Sequence, residues 1–202
     1  MAKEKFIEIK GKKVFIRFSE IERSKGNIFL LHGYSFSSKN WEDINAFERF
    51  NKMGYNAYAV DYPGFGQSED IAEFSIKRGD LKNSRYFVRV VLDELKLKKV
   101  ILVGPSMGGG MSLLSSSEYP EYFSKLILVA PAWFGQINIK NIRIPKLFIW
   151  GTEDKVVPYD AVKDMVPQDG ENKLVMVQGS GHPVYLEKTE EFFKIVSDFI
   201  LS

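Results

Sequence analysis

The chain has no cysteine among its 202 residues, which excludes a disulfide framework, a thiolate nucleophile and a sulfur-ligated metal site. Histidine is scarce as well: only His32 and His182 are present, so a histidine acting as general base has two candidates. No run reaches the roughly 18 apolar residues of a membrane-spanning helix, and the first residues lack the apolar segment of a signal peptide. We therefore expect a cytoplasmic protein without membrane contacts.

A large excess of one charge is also missing. The 28 basic and 26 acidic side chains leave a net charge of +2, which gives no electrostatic reason for binding nucleic acid or a membrane surface. What the chain does have is apolar surface to bury, since 45% of its residues are hydrophobic. At this length, residues 1–202 are expected to form a single domain with a sizeable core.

Apolar runs alternate along the chain with segments of helical spacing. The predicted strands are 4–10, 13–19, 28–31, 55–60, 100–103, 126–130, 146–150 and 172–177, and the predicted helices are 40–53, 80–95, 107–119, 158–166 and 187–201. This alternation predicts an α/β fold with a mostly parallel sheet of about eight strands, an antiparallel hairpin at its start and helices on both faces. Ligands of such sheets bind beyond the carboxyl ends of the strands.

The sequence GPSMG interrupts the apolar run 100–103 and is followed by a helical pattern. A strand, a sharp turn and a helix with serine at the apex form the nucleophile elbow G-x-S-x-G. The turn forces Ser106 into an unfavourable backbone conformation, and glycine at 104 and 108 removes the collisions that side chains would cause. The hydroxyl of Ser106 is thereby exposed beside the positive end of the following helix, and Ser106 is the candidate nucleophile.

A serine hydroxyl is a poor nucleophile until a base takes its proton, so one of the two histidines is required. His182 lies in the glycine-rich sequence GSGHP after the last predicted strand, and this loop can reach across the strand ends. His32 ends an apolar strand in a tight turn and is interpreted as a structural or orienting histidine. The chain order serine, acid, histidine also favours His182 as the base.

The acid of such a site follows a strand between the serine and the histidine. Asp154 has this position in GTEDKVVP, where it would fix the tautomer of the imidazole and stabilise the imidazolium ion. Glu153 is the rival carboxylate, while Asp160 is interpreted as a residue of a helix surface.

An oxyanion hole needs two backbone donors near the nucleophile. We assign one to the N–H of Met107, directly after Ser106, and the other to the N–H of Tyr34 in the loop that follows the third strand. The alternative is that the dipeptide at 32–33 serves only as a tight exit from the strand.

Five sequence segments together resemble the α/β-hydrolase-fold serine hydrolases over essentially the whole chain. They are HGY at 32, DYPGFGQS at 61, GPSMGG at 104, WGTEDKVVP at 150 and GSGHPVYLEKTEEF at 179. Within that superfamily the chain is most similar to the small CIB-like hydrolases. The resemblance implies the α/β-hydrolase fold, a catalytic triad of Ser106, Asp154 and His182, and hydrolysis of an acyl bond.

The position where larger relatives carry a cap holds only residues 131–145 here. A helical lid does not fit in this length, so we expect an open site without a cap domain. Aromatic residues on loops at the active-site end are candidates for a shallow acyl pocket, although each is equally consistent with packing. These pocket candidates are Phe65, Trp133, Phe134 and Tyr185, with Tyr34 beside them.

The leading hypothesis is a carboxylic-ester hydrolase that acts on a small-molecule acyl substrate through an acyl-enzyme. A thioesterase, or an amidase or lysine deacylase, would use the same residues on another bond. A protein-interaction module on a hydrolase scaffold is a further alternative, because a fold alone does not prove activity. No sequence pattern indicates a metal or an organic cofactor, and none supports a protein partner.

Overall fold

The apolar runs of the sequence form the eight strands of one sheet. The computed structural model describes residues 2–78, 81–132, 137–167 and 170–202. The strands are β1 (Lys3–Ile9), β2 (Lys12–Ser19), β3 (Asn27–Leu30), β4 (Asn56–Val60), β5 (Val100–Pro105), β6 (Phe123–Val129), β7 (Lys146–Gly151) and β8 (Asn172–Val177). Every residue of β5 and β7 is buried, as expected for strands covered on both faces.

The strand order across the sheet is β1-β2-β4-β3-β5-β6-β7-β8. Strand β2 pairs antiparallel with both β1 and β4, whereas all pairs from β4 to β8 are parallel. The predicted mostly parallel sheet with an antiparallel N-terminal hairpin is therefore confirmed. Because β3 to β8 run parallel, their carboxyl ends lie along one edge of the sheet, which we call the carboxyl edge.

Helices lie on both faces of this sheet. They are α1 (Lys39–Asp43), α2 (Ala46–Lys52), α3 (Leu81–Ser84), α4 (Phe87–Glu94), α5 (Met107–Glu118), α6 (Val184–Glu187) and α7 (Thr189–Leu201). Side chains alternate along the strands, so Phe29 packs with residues of α4 and α5 in one core, whereas Ile28 and Leu30 pack with residues of α1, α2 and α7 in the other. The expected layers of helix, sheet and helix are confirmed.

Three predicted helices differ in the structure. The segment 40–53 is divided into α1 and α2 at Asn45, whose left-handed backbone conformation (φ 56°, ψ 31°) ends one helix and begins the next. The predicted helix 80–95 is divided into α3 and α4 by a turn at residues 85–86. The predicted helix 158–166 is wrong, since the segment forms two short 3₁₀ turns, Tyr159–Ala161 and Lys163–Met165. Between these turns Val162 has φ −131°, which is outside the helical region and prevents a continuous α-helix.

The connection from β6 to β7 spans residues 130–145. Its described parts, 130–132 and 137–145, contain one 3₁₀ turn at Ile139–Asn141 and no cap helix. In the described part of the chain, no helix has both the length and the apolar character needed to span a membrane.

Candidate active site

Ser106 forms the sharp turn between β5 and α5. Its backbone has φ 49° and ψ −116°, a combination that residues other than glycine rarely adopt. Neighbouring backbone groups hold this conformation: the Ser106 N–H donates to the Val129 carbonyl at 2.8 Å, and the Ser106 carbonyl accepts from the Ala132 N–H at 2.9 Å. The strained backbone predicted for the apex of an elbow is thus present at Ser106.

The glycines on both sides of Ser106 allow the chain to pass itself closely. A Cβ atom at Gly104 would lie 2.3 Å from the Gly108 carbonyl oxygen, and one at Gly108 would lie 2.9 Å from the carbonyl oxygen of His32. Both distances are shorter than any normal contact, so side chains at these two positions would force β5, α5 and the loop after β3 apart.

Asp154 and His182 meet at the carboxyl edge. The Asp154 Oδ2 atom lies 2.8 Å from His182 Nδ1, and Oδ1 accepts hydrogen bonds from the N–H groups of Val156 and Val157 at 2.8 and 2.9 Å. The carboxylate is fully buried, whereas 16% of the His182 side chain is exposed. Since a carboxylate can only accept here, His182 carries its proton on Nδ1, and Nε2 is left as the basic nitrogen.

The Nε2 atom of His182 is buried and makes no hydrogen bond to any described residue. His182 follows β8 and Asp154 follows β7, while Ser106 follows β5, so all three belong to the carboxyl edge. A buried nitrogen without a hydrogen-bond partner costs free energy, so its presence here calls for an explanation, and a functional role is one.

The rival carboxylates lie elsewhere. Glu153 is exposed, and its backbone N–H donates to the Ser180 carbonyl at 2.9 Å. Asp160 is also exposed and lies 3.5 Å from the ammonium group of Lys163. Among the described contacts, the carboxylate on the His182 ring is that of Asp154.

His32 has a different environment. It is 1% exposed, its Nδ1 lies 2.8 Å from the Gly33 carbonyl oxygen, and its Nε2 accepts the N–H of Tyr62 at 3.0 Å. Burial lowers the pKa of His32 below its ordinary value of 6.5. Both ring nitrogens are therefore occupied in a neutral imidazole, which agrees with the interpretation of His32 as a structural residue.

The two expected oxyanion donors belong to residues in segments next to Ser106. Met107 is the first residue of α5, where the helix offers no acceptor for its backbone N–H. The loop that carries Tyr34 passes close to the serine, because a Cβ atom at Gly33 would lie 3.8 Å from the Ser106 Cβ. Within the described ranges the Tyr34 N–H has no acceptor either.

The predicted pocket residues are not equivalent. Phe65 is largely buried, with its ring centre 5.4 Å from that of Tyr34, a residue that is 54% exposed. Tyr185 is 1% exposed and packs in the core against Trp41 at 4.8 Å, so its assignment to an open pocket is corrected: the ring has no surface to offer a ligand. Trp133 and Phe134 lie outside the described residues.

Sequence reasoning missed two residues that shape this edge. Asp61 follows β4 and its carboxylate accepts the N–H groups of Ser38 at 2.6 Å and Gln67 at 2.9 Å, which fixes the loop after β3 to the loop after β4. Gly151 ends β7, and a Cβ atom there would lie 2.2 Å from the carbonyl oxygens of Ser180 and Gly181. The glycine in WGTEDKVVP was the available signal for this close approach of the two loops.

Comparison with known proteins gives three findings. Residues 22–139 match the family model described as "Serine aminopeptidase, S33". The human protein named "Putative protein-lysine deacylase ABHD14B" is 28% identical over 205 residues, which cover 98% of this chain and 95% of that protein. A crystal structure described as a "predicted CIB-like hydrolase" from Thermoplasma acidophilum is 40% identical, with a TM-score of 0.93 over 99% of this chain and 98% of the other.

A fourth similarity concerns the fold alone. The carboxylesterase CesB from Bacillus subtilis has a TM-score of 0.79 at 17% identity, and the alignment covers 99% of this chain and 92% of the other.

Proposed function

Because this chain belongs to the serine aminopeptidase S33 family and is a serine hydrolase of the α/β-hydrolase fold, we propose that it cleaves small or exposed acyl groups from carboxylic esters. The observation that carries the proposal is the hydrogen bond of 2.8 Å between buried Asp154 and His182 at the sheet edge where the strained Ser106 lies. These three residues are the proposed catalytic triad.

The proposed reaction has two steps. His182 Nε2 takes the proton of the Ser106 hydroxyl while the serine oxygen forms a bond to the acyl carbon, and the imidazolium then protonates the departing alkoxide. A water molecule next gives a proton to Nε2 and attacks the acyl carbon of the acyl-enzyme. The bond from that carbon to the serine oxygen then breaks, the imidazolium returns its proton to that oxygen, and the acid is released. Asp154 keeps Nδ1 protonated and stabilises the imidazolium in both steps.

The backbone N–H groups of Tyr34 and Met107 are the proposed donors to the oxyanion. Two donors already in place stabilise the negative charge that develops on the acyl oxygen without any rearrangement. The loop of Tyr34 is held by His32, which accepts from Tyr62, and by the Asp61 carboxylate, which accepts from Ser38. This support gives the loop a fixed distance from Ser106.

A second candidate function is removal of acyl groups from lysine side chains or small amides. It is favoured by the similarity to a protein named as a lysine deacylase, which extends over nearly the full length of both chains. An acylated lysine needs an open approach to Ser106, and the described parts of the connection between β6 and β7 hold one 3₁₀ turn and no cap helix. A thioester would meet the same groups.

The test is a turnover panel of acyl esters, thioesters and N-acyl-lysine peptides, run together with fluorophosphonate labelling of the intact chain. We expect ester turnover and labelling in the wild type, and the loss of both in Ser106→Ala and His182→Ala, with the double variant no worse than either single one. Faster turnover of acyl-lysine than of esters would instead establish the deacylase. Absence of labelling in the folded wild type would refute an activated serine and leave an interaction module.

A further inference from the structure

The residue before His182 is held by a carboxylate that comes later in the chain. The short helix α6 begins two residues after His182 and turns the chain back, with N–H groups of Leu186 and Glu187 donating to the Pro183 carbonyl at 2.8 and 3.1 Å. This turn brings the Glu187 carboxylate under Gly181, whose N–H donates to Oε2 at 2.6 Å.

The same oxygen accepts a second hydrogen bond. The hydroxyl of Ser180 donates to Glu187 Oε2 at 3.1 Å, and Ser180 is itself fully buried. One carboxylate oxygen therefore fixes two consecutive residues directly before the histidine.

The other side of the Ser180–Gly181 segment lies against the loop of Asp154. The Ser180 carbonyl accepts the N–H of Glu153 at 2.9 Å, and Gly151 allows both carbonyl oxygens of the segment to lie close to the end of β7. The segment is thus held between the Asp154 loop on one side and Glu187 on the other, which leaves it little freedom to shift.

We propose that Glu187 is a positioning residue for His182, an inference that rests on the proposed function. Its carboxylate fixes Ser180 and Gly181, so that the imidazole keeps its hydrogen bond to Asp154 and presents Nε2 to the Ser106 hydroxyl. Glu187 acts through the backbone and does not touch the reacting atoms. Because Glu187 is exposed, its contribution comes from geometry more than from a long-range effect of its charge.

The experiment compares four single variants of the full chain: Glu187→Ala, Glu187→Gln, Glu187→Asp and, as a matched control, Glu191→Ala. Glu191 is an exposed carboxylate at the start of α7, with no hydrogen bond or ion pair to a described residue. For each variant, kcat and KM are measured on a short-chain ester, together with the rate of fluorophosphonate labelling and Tm.

We expect Glu187→Ala to lower kcat and the labelling rate about ten- to hundredfold with KM little changed, since misplacing a catalytic group by about 1 Å has an effect of this size. Glutamine keeps the length and an acceptor oxygen, so Glu187→Gln should recover most of the rate. Aspartate keeps the charge but is one methylene shorter, so Glu187→Asp should not recover the rate. Glu191→Ala should behave as the wild type.

Three results would overturn the positioning role. They are an unchanged kcat in folded Glu187→Ala, a loss confined to KM, or recovery by aspartate but not by glutamine, which would indicate an effect of charge. If Glu187→Ala does not fold, the comparison of the glutamine and aspartate variants decides. Failure of the proposed function is recognised separately, because the wild type itself would then show no labelling of Ser106.

Discussion

At the scale of single residues, the contacts of Asp154 assign its two oxygens to different tasks. Oδ2 lies on the His182 ring, while Oδ1 is used by the backbone N–H groups of the loop that follows. The side chain therefore both orients the imidazole and organises its own loop, which explains why a buried carboxylate is tolerated there.

Asp154→Asn separates these tasks, because the amide oxygen can still accept from the loop while the anion is lost. We expect kcat/KM to fall about 10²–10⁴-fold, since the imidazole loses its preferred tautomer and its counter-charge. The circular dichroism spectrum should stay that of the wild type. Glu153→Gln serves as the neighbouring control and should change kcat/KM less than about twofold, as expected for an exposed group. A larger loss in Glu153→Gln than in Asp154→Asn would transfer the role of acid to Glu153.

His32 provides a prediction about stability rather than activity. Burial lowers its pKa in the folded protein below the ordinary value of 6.5, so below that pH the unfolded chain binds a proton that the folded protein does not. The contribution of neutral His32 is therefore complete above about pH 6.5 and decreases as the pH falls, by at most about 1.4 kcal/mol per pH unit.

The measurement is Tm of the wild type and of His32→Gln from about pH 7.5 to about pH 5. The variant should have a lower Tm at neutral pH, because the hydrogen bonds to Gly33 and Tyr62 are altered. Its Tm should fall less steeply with acidification than that of the wild type. Two parallel curves would contradict a neutral buried imidazole at this position.

At the scale of secondary-structure elements, the inner strands could be predicted from the sequence because burial on both faces gives continuous apolar runs such as 100–103. The turn at Ser106 could be predicted because its whole signal is local in sequence: the two glycines and the serine lie within five consecutive positions. Helix 40–53 was interrupted by Asn45, a residue type that accepts the left-handed conformation, and only packing of the flanking helices reveals the break.

Contacts between distant segments explain what the sequence could not provide. The hydrogen bond from Tyr62 to His32 joins two loops thirty residues apart, and the bond from Ser38 to Asp61 joins residues that are 23 positions apart. Neither hydrogen bond is indicated by a pattern of neighbouring residues in the sequence. The segment 158–166 has apolar residues at helical spacing, yet its hydrogen bonds connect residues three apart, as in Ala161 to Pro158, because Val162 leaves the helical region.

At the scale of the whole molecule, the short connection between β6 and β7 limits how much of a substrate can be covered. Each buried methylene contributes about 0.8 kcal/mol, so the preferred acyl length should follow the length that the pocket encloses. We expect kcat/KM on p-nitrophenyl esters to be highest for acyl chains of about two to six carbons, because methylenes of longer chains remain in water.

The ester series is measured below the critical micelle concentration, with an emulsified substrate in parallel as the control for interfacial effects. Activity should rise smoothly with emulsified substrate, since a lid that opens at an interface is not expected. A maximum at chains of about twelve carbons or more, or an abrupt rise at the interface, would contradict an open site with a shallow pocket.

The order of strands across the sheet also bears on which part of the candidate active site unfolds locally at the lowest cost in free energy. Ser106 follows β5, which has a neighbour on each side and is buried along its whole length, whereas His182 follows β8, an outer strand with a mostly accessible burial pattern. Amide protons of outer strands exchange through openings that cost less free energy than global unfolding. We therefore expect the Asp154–His182 pair to separate through local opening of β8 at a lower cost in free energy than unfolding of the turn at Ser106, so amide protons of β8 should exchange faster than those of β5.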